Sequence, residues 1–349
     1  MRLAENVSTV HTDFNTDELV QSTSGYVGSE RVDEDLKALR LVHSLDDLVG
    51  PDSEWNFTVV PANLEQPTIT LFTDANERVF VTRVPPPAGD DSFPKAAEDA
   101  AAILENYRPL FFNPAKPFRQ HRRGDFPVIA VGLSFGGGQQ EPKRIYQNDK
   151  DLQLLNNICG MACFKRLACH ASSAFQTWAP KLYQLYAGYM DRLQKLFPDR
   201  YLNFSRSVFA CCTLNFGPRT TTIEHLDHLN YIYGWCAITA LGSFDFRSGG
   251  HLVLWDLEMV IEVPPGWTML IPSSYLRHSN TAIAPEETRY SLTQYTAGGL
   301  FRVIDDEGHV RKHMSQAEKS AAEELQRERI NMDLNCYSTL MELGITPAE

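Results

Sequence analysis

From about residue 203 the chain breaks into short segments of one texture: SVFACCTLNF, YIYGWCAITALGSF, HLVLWDL, MVIEV, WTMLI, TRYSLTQYT and LFRVI. Each is rich in β-branched and aromatic residues, and Gly, Pro, Asn or Ser separates it from the next. A run of short strands with regular turn signals buries its apolar faces by closing on itself or on a second sheet. The expectation for 201–312 is therefore a sandwich, jelly roll or barrel.

The first 200 residues read differently. Residues 1–30 are polar and acidic with little apolar periodicity, the pattern of a flexible segment. LKALRLVHSLDDLV (36–49) has the spacing of a short amphipathic helix. TITLFT (68–73) and VFVTRV (79–84) flank the polar turn DANER and predict a hairpin. The three prolines at 85–87 end it, because proline cannot continue a central strand. An Ala-rich helix is expected over 94–107 and a buried strand over 128–133, leading into the glycine loop 136–138. Two long helices follow, near 150–166 and 179–196. The region 31–200 is read as an α/β support for a substrate groove. The segment 313–349 is read as a C-terminal helix opened by the capping pattern Ser315-Gln-Ala-Glu318.

Hydrophobic residues make up 43% of the 349, enough for a buried core, and no run approaches the roughly 18 apolar residues of a membrane span. The N-terminus lacks an apolar signal core, so a nuclear or cytoplasmic protein is expected, monomeric and off the membrane. The seven cysteines are odd in number and form no C-x-x-C pair, which speaks against a disulfide framework. Cys159, Cys163, Cys169 and His170 lack the usual zinc spacing and are better read as buried thiols and a lone histidine. The net charge of −12 opposes a whole-surface grip on nucleic acid.

The chemistry concentrates in HLD at 225–227. On an extended chain, side chains two apart project to one side, so His225 and Asp227 can hold one metal. His278, after the strand WTMLI, is the candidate third ligand. Two histidines and a carboxylate on one face of an octahedron leave positions open, which is the non-haem iron(II) arrangement. Arg289, in TRYSLTQY, offers a planar fork for the far carboxylate of 2-oxoglutarate, and Ser291 shares its strand face.

These segments resemble the TET/JBP family of nucleic-acid base oxygenases, in particular its fungal, transposon-associated members. The resemblance covers about 205–302. HLDHLN is similar to the family's H-x-D-x-x-N, GGHLVLWDL to the strand whose histidine helps bind the cosubstrate, and TRYSLTQY to R-x-S-x-x-x-Y. It implies an α+β fold with a double-stranded β-helix (jelly-roll) core, N-terminal helices packed on it and a C-terminal helix. It implies an Fe(II)/2-oxoglutarate-dependent dioxygenase that oxidises a methyl on a base: 5-methylcytosine first, with N6-methyladenine and thymine as further candidates. His225, Asp227 and His278 would hold iron; Arg289, Ser291 and His251 would hold 2-oxoglutarate; Asn230 and Tyr295 would meet the base. Where animal members carry a histidine two residues after the stacking tyrosine, this chain has Ala297, which bears on base preference. The plainer readings stay open: Asn230 as a loop cap, Tyr295 as sheet packing.

Lys116, Arg119, Arg122, Arg123, Lys143 and Arg144, with Phe118 among them, are the candidate contact to a nucleic-acid backbone, DNA first and RNA second. Backbone N–H groups of the glycine loop could approach a phosphate. Two other functions compete. One is the same chemistry on a protein or small metabolite, which the net charge favours. The other is a silent jelly-roll binding module, which the intact ligand set and Arg289 oppose.

Overall fold

The protein is described by a computed structural model, and the structure describes residues 6–19, 22, 25–29, 40–136, 138–200, 202–309, 311–333 and 335–346. Thirteen strands are present among them: β1 Val7–His11, β2 Thr58–Val60, β3 Ile69–Thr73, β4 Val79–Val84, β5 Val128–Ser134, β6 Lys143–Arg144, β7 Cys211–Asn215, β8 Cys236–Ser243, β9 Leu252–Leu254, β10 Met259–Ile261, β11 Thr268–Ile271, β12 His278–Asn280 and β13 Thr288–Tyr295. They form a nine-stranded sheet in the order β1-β3-β4-β11-β8-β13-β7-β5-β6 and a four-stranded sheet in the order β12-β9-β10-β2. Along the chain, β7 lies in the large sheet, residues 222–225 run against β12 of the small one, and β8 returns to the large sheet. The hairpin β9–β10 is small-sheet, β11 large, β12 small and β13 large. That alternation is the jelly-roll winding.

The helices are α1 Leu45–Leu48, α2 Phe93–Phe111, α3 Asp149–Gly160, α4 Ala162–Trp178, α5 Pro180–Leu196, α6 Gly298–Asp305 and α7 Gln316–Asp333. Helix α2 buries Ala96, Ala97, Ala100, Ala101 and Leu104, a stripe whose small side chains let it lie close to the sheet. It and α4 cover the outer face of the large sheet, which presents Cys212, Leu214, Leu241, Tyr290 and Leu292. Each fully buried leucine there contributes roughly 1.5–3 kcal/mol. Strand alternation turns Arg289, Ser291, Thr293 and Tyr295 the opposite way, into the space between the sheets.

Several expectations are corrected. Within the segment expected to be flexible, β1 pairs in parallel with β3 and extends the large sheet, while residues 1–5, 20, 21, 23, 24 and 30 lie outside the described residues. The helix expected over 36–49 is a single turn at α1, because Ser44 and Asp47 form a capping box that starts it there; residues 36–39 lie outside the described residues. The helix expected over 150–166 breaks after Gly160, giving α3 and α4. LFRVI is helical, not a strand: within α6, Leu300, Val303 and Ile304 pack on Leu133, Phe135 and Met190. Strands of the expected supporting region and of the expected β-core are joined: β3, β4 and β5 share the large sheet with β7, β8, β11 and β13. After α7 the tail returns to the core, where the Tyr337 hydroxyl donates to Tyr233 O at 2.9 Å. No helix of the described residues is long and apolar enough to cross a membrane.

Candidate metal and oxoacid site

His225 and His278 face each other across an antiparallel bridge: each backbone N–H donates to the other's carbonyl, at 3.1 and 3.0 Å. Their rings lie 4.2 Å apart, centroid to centroid. Asp227 is held by its own N–H, which donates to Ser273 O at 2.8 Å. One ligand atom from each of the three residues lies within 4.8 Å of the others, and among the described residues no other such group of histidine, cysteine or acidic residues forms. Cys159, Cys163, Cys169 and His170 are not brought together; the His170 Nε2 reaches Pro85 O instead.

The ring orientations suit a metal. Nδ1 of His225 donates to Ile223 O at 2.8 Å, and Nδ1 of His278 to Leu276 O at 2.9 Å. A carbonyl only accepts, so the proton sits on Nδ1 and each Nε2 presents a lone pair. Burial, and then the neighbouring His278, holds His225 well below the usual imidazole range; burial also lowers His278. Burial opposes ionisation of Asp227, but Arg123 foremost and then His225 and Arg122 outweigh it and hold the carboxyl far below its usual range. Two neutral imidazoles and an ionised carboxylate are a donor set for a divalent transition metal.

Further into the same interior sits Arg289, 2% exposed. Its Nη1 donates to Thr220 O at 2.9 Å and to Asn280 Oδ1 at 3.3 Å, but no carboxylate among the described residues pairs with it, and its Nε has no partner. Burial alone lowers its pKa to about 10. Beside it, His251 is fully buried and lowered to about 4, by burial first and then by the Arg289 charge. The Thr281 hydroxyl accepts the His251 amide at 3.1 Å and lies 2.7 Å from Nδ1. The arrangement that satisfies both sends the hydroxyl proton to Nδ1 and leaves an N–H on Nε2, which has no partner. Asn215 donates to Ser291 Oγ at 2.7 Å, while its own Oδ1 and the Thr220 hydroxyl are unpartnered. A buried guanidinium with no carboxylate beside it and an unpartnered Nε, next to the unpartnered Nε2 of His251, suits an anion. The backbone makes room for it: Gly250 has φ +72°, and a Cβ there would meet the Phe244 ring at 2.7 Å and Arg289 Cδ at 3.1 Å.

The remaining candidates separate. Asn230 spends its amide on Ser273 Oγ at 3.0 Å, which ties down the turn after Asp227. Tyr295 lines the interior, with Thr213 Oγ1 3.5 Å from its hydroxyl. Most of the six basic residues have partners within the protein. Lys116 pairs with Asp151 and Lys143 with Glu141, while Arg144 reaches Asn156 and Asn203. Arg122 is an Asp227 partner: Nη2 donates to Oδ1 and Nη1 to Leu226 O, both at 2.6 Å. Arg119 is exposed and, among the described residues, has no ion pair. The glycine loop closes on itself, with Gly136 N donating to Gln139 Oε1 at 3.0 Å; Gly137 lies outside the described residues. Asn215, Thr220, Asn280 and Thr281 had not been singled out. Asn280 had a signal, since it shares a strand face with His278 two residues away.

No protein-family model matches this sequence, and no curated protein matches it. Solved structures do resemble it. One is titled as NgTET1 in complex with 5mC DNA (13% identity, 70% of this chain and 83% of that one, TM-score 0.46). Another is a 2OG-Fe(II) oxygenase family oxidoreductase from Burkholderia pseudomallei (17%, 56% and 89%, TM-score 0.29). A third is OsALKBH1 (14%, 62% and 97%, TM-score 0.32). These overlaps are partial, and the side chains described above carry the assignment.

Proposed function

We propose that this protein is an Fe(II)/2-oxoglutarate-dependent dioxygenase that oxidises a methyl group on a nucleic-acid base, 5-methylcytosine first among the candidates. The observation that carries the chemistry is the guanidinium of Arg289, buried without a carboxylate partner among the described residues, in the same interior as the His225–Asp227–His278 triad. A metal alone would not call for it; a dicarboxylate cosubstrate beside the metal would. The choice of base substrate rests on HLDHLN and TRYSLTQY and on the interior position of Tyr295.

Iron(II) and 2-oxoglutarate, when bound, supply the oxidising power: dioxygen is consumed, the oxoacid becomes succinate and carbon dioxide, and a substrate C–H becomes C–OH. The chain's residues do the rest. His225 and His278 offer Nε2, and their Nδ1 bonds fix the rings. Asp227 offers a carboxylate oxygen, with Arg122 holding the other face of the group. Arg289 would hold the far carboxylate of the oxoacid, with the Ser291 hydroxyl and the His251 ring beside it. Tyr295 offers a flat face against which a base taken out of its stack can rest. The buried walls keep water away from the reacting carbon.

A second reading keeps the chemistry and changes the substrate to a protein or small metabolite. The net charge and the spending of Lys116 and Lys143 on local acids favour it. The deciding experiment is anaerobic reconstitution with iron(II), then 2-oxoglutarate turnover with and without methylcytosine- or methyladenine-containing DNA, with mass spectrometry of the digested nucleosides. Oxidised bases that require both iron and 2-oxoglutarate are expected. Decarboxylation with unaltered bases would select the second reading; no iron binding and no turnover would leave a silent module.

A further inference from the structure

Residues Asp227–Asn230 form a tight turn, closed by Asn230 N donating to Asp227 O at 2.8 Å. Turn corners ordinarily carry Gly, Asn, Asp or Ser, which suit the bend and the water around it. This corner carries Leu229, 63% exposed. The turn has no freedom to tuck that side chain away, because each of its carbonyls is engaged. Gly28 N donates to His228 O and Gly298 N to Leu229 O, both at 2.9 Å, and the Ser274 hydroxyl donates to Asn230 O at 3.2 Å. The Asn230 amide, bonded to Ser273, and Tyr231 N, donating to Thr296 O at 3.0 Å, fix the exit. Single exposed apolar side chains are common, and others occur on this surface. Leu229 differs from the others in sitting two residues from Asp227 on a backbone pinned from three sides. The guanidinium of Arg122, 53% exposed, bonds Leu226 O and Asp227 Oδ1, and Arg123 O accepts Ile223 N at 3.0 Å, so the basic loop borders the segment that leads into this turn.

We infer that Leu229 is a wedge that enters a nucleic-acid duplex and occupies the space left by the target nucleotide as it turns into the site. The inference rests on the proposed action on a base. A methyl inside a duplex cannot reach a metal held between two sheets, so the nucleotide must leave the stack, at a cost of unstacking and unpairing. An apolar side chain inserted at the vacated step offsets that cost, and leucine is among the residues that serve this way elsewhere. The wedge must be stiff, or the ordering of the loop would consume what insertion returns; the engaged carbonyls supply that stiffness. It must also stand next to the metal, because the gap in the stack lies where the nucleotide departs. Leu229 meets both conditions: its turn is held by engaged carbonyls, and it follows the candidate ligand Asp227 by two residues.

The test compares wild type, Leu229→Ala and Leu229→Met on one methylated sequence as duplex and as single strand, reading oxidised nucleosides by mass spectrometry. A 2-aminopurine beside the target base reports unstacking on binding. A single strand has no partner base to lose, so the wedge acts on the duplex alone. Leu229→Ala should lower the duplex-to-single-strand ratio of kcat/KM about tenfold, and weaken the 2-aminopurine signal. Leu229→Met should restore both. An exposed side chain is replaced, so the fold is spared. Equal loss on both substrates, or an unchanged ratio, overturns the wedge while leaving the base oxygenase standing. If wild type oxidises no base in either form, the functional reading falls and the wedge falls with it.

Discussion

At Asp227 burial and charge pull in opposite directions. A carboxylate this deep resists ionisation, yet Arg123 and Arg122 hold it ionised, and Arg122 binds it directly at 2.6 Å. Without the carboxylate the two histidines are an incomplete donor set. Asp227→Ala should therefore lose iron(II) after anaerobic reconstitution and desalting, together with 2-oxoglutarate turnover; native iron content in the variant would remove Asp227 from the ligand set. Arg289 makes a different demand. Its role depends on a fork with two parallel donors, which an ammonium cannot reproduce. Arg289→Lys should raise the concentration of 2-oxoglutarate needed for half-maximal turnover by about tenfold or more, with iron content kept. An unchanged half-saturation would mean that the oxoacid binds elsewhere.

Among the elements, the β-turn before His251 and the strand β13 were legible to different degrees. TRYSLTQY alternates polar and apolar residues, so the sequence alone separates an interior face from a helix-covered one, and the structure keeps that division. His225, Asp227 and His278 were legible for the same reason: extended segments impose a simple geometry. The contact between Arg122 and Asp227 was not legible, because a loop of a hundred residues' separation obeys no local periodicity. Nor was the helical state of LFRVI, where four apolar residues around Arg302 fit a strand and a helix equally and tertiary packing decides. The Gly249-Gly250 pair announces a turn, but only its φ and neighbours explain it. At Gly250 an alanine would sit in the left-handed region, which costs about 1–2 kcal/mol, and its Cβ would press on Phe244 and Arg289 Cδ. Gly250→Ala should lower the urea midpoint and weaken 2-oxoglutarate binding together. A loss of stability with unchanged binding would show that the turn does not shape the oxoacid cradle.

For the whole molecule, the histidines couple stability to pH. His121, His170, His225, His251 and His278 are all lowered, each with burial as the first cause. In the unfolded chain each titrates near 6.5. Below that pH the unfolded state binds more protons than the folded one, so stability falls as pH falls. For His251, at about 4 in the folded protein, the loss continues down to about pH 4 and reaches about 2 kcal/mol by pH 5. Asp227 acts in the same direction at lower pH: its folded value is depressed, so its contribution is present above the ordinary carboxylate pKa and is lost below it. The urea midpoint of the metal-free protein should therefore drop steadily from pH 7.5 to pH 5. His251→Gln, which keeps a polar side chain but cannot titrate, should flatten that slope over pH 6.5 to 4. Since a divalent metal binds only the neutral imidazoles of His225 and His278, iron(II) should raise the midpoint most at the upper end of that range and least where protonation competes, so the slope steepens when the metal is bound. A midpoint that stays constant between pH 7.5 and 5 would show that these imidazoles are not held neutral by burial, and the neutral donor set on which the metal site depends would have to be abandoned.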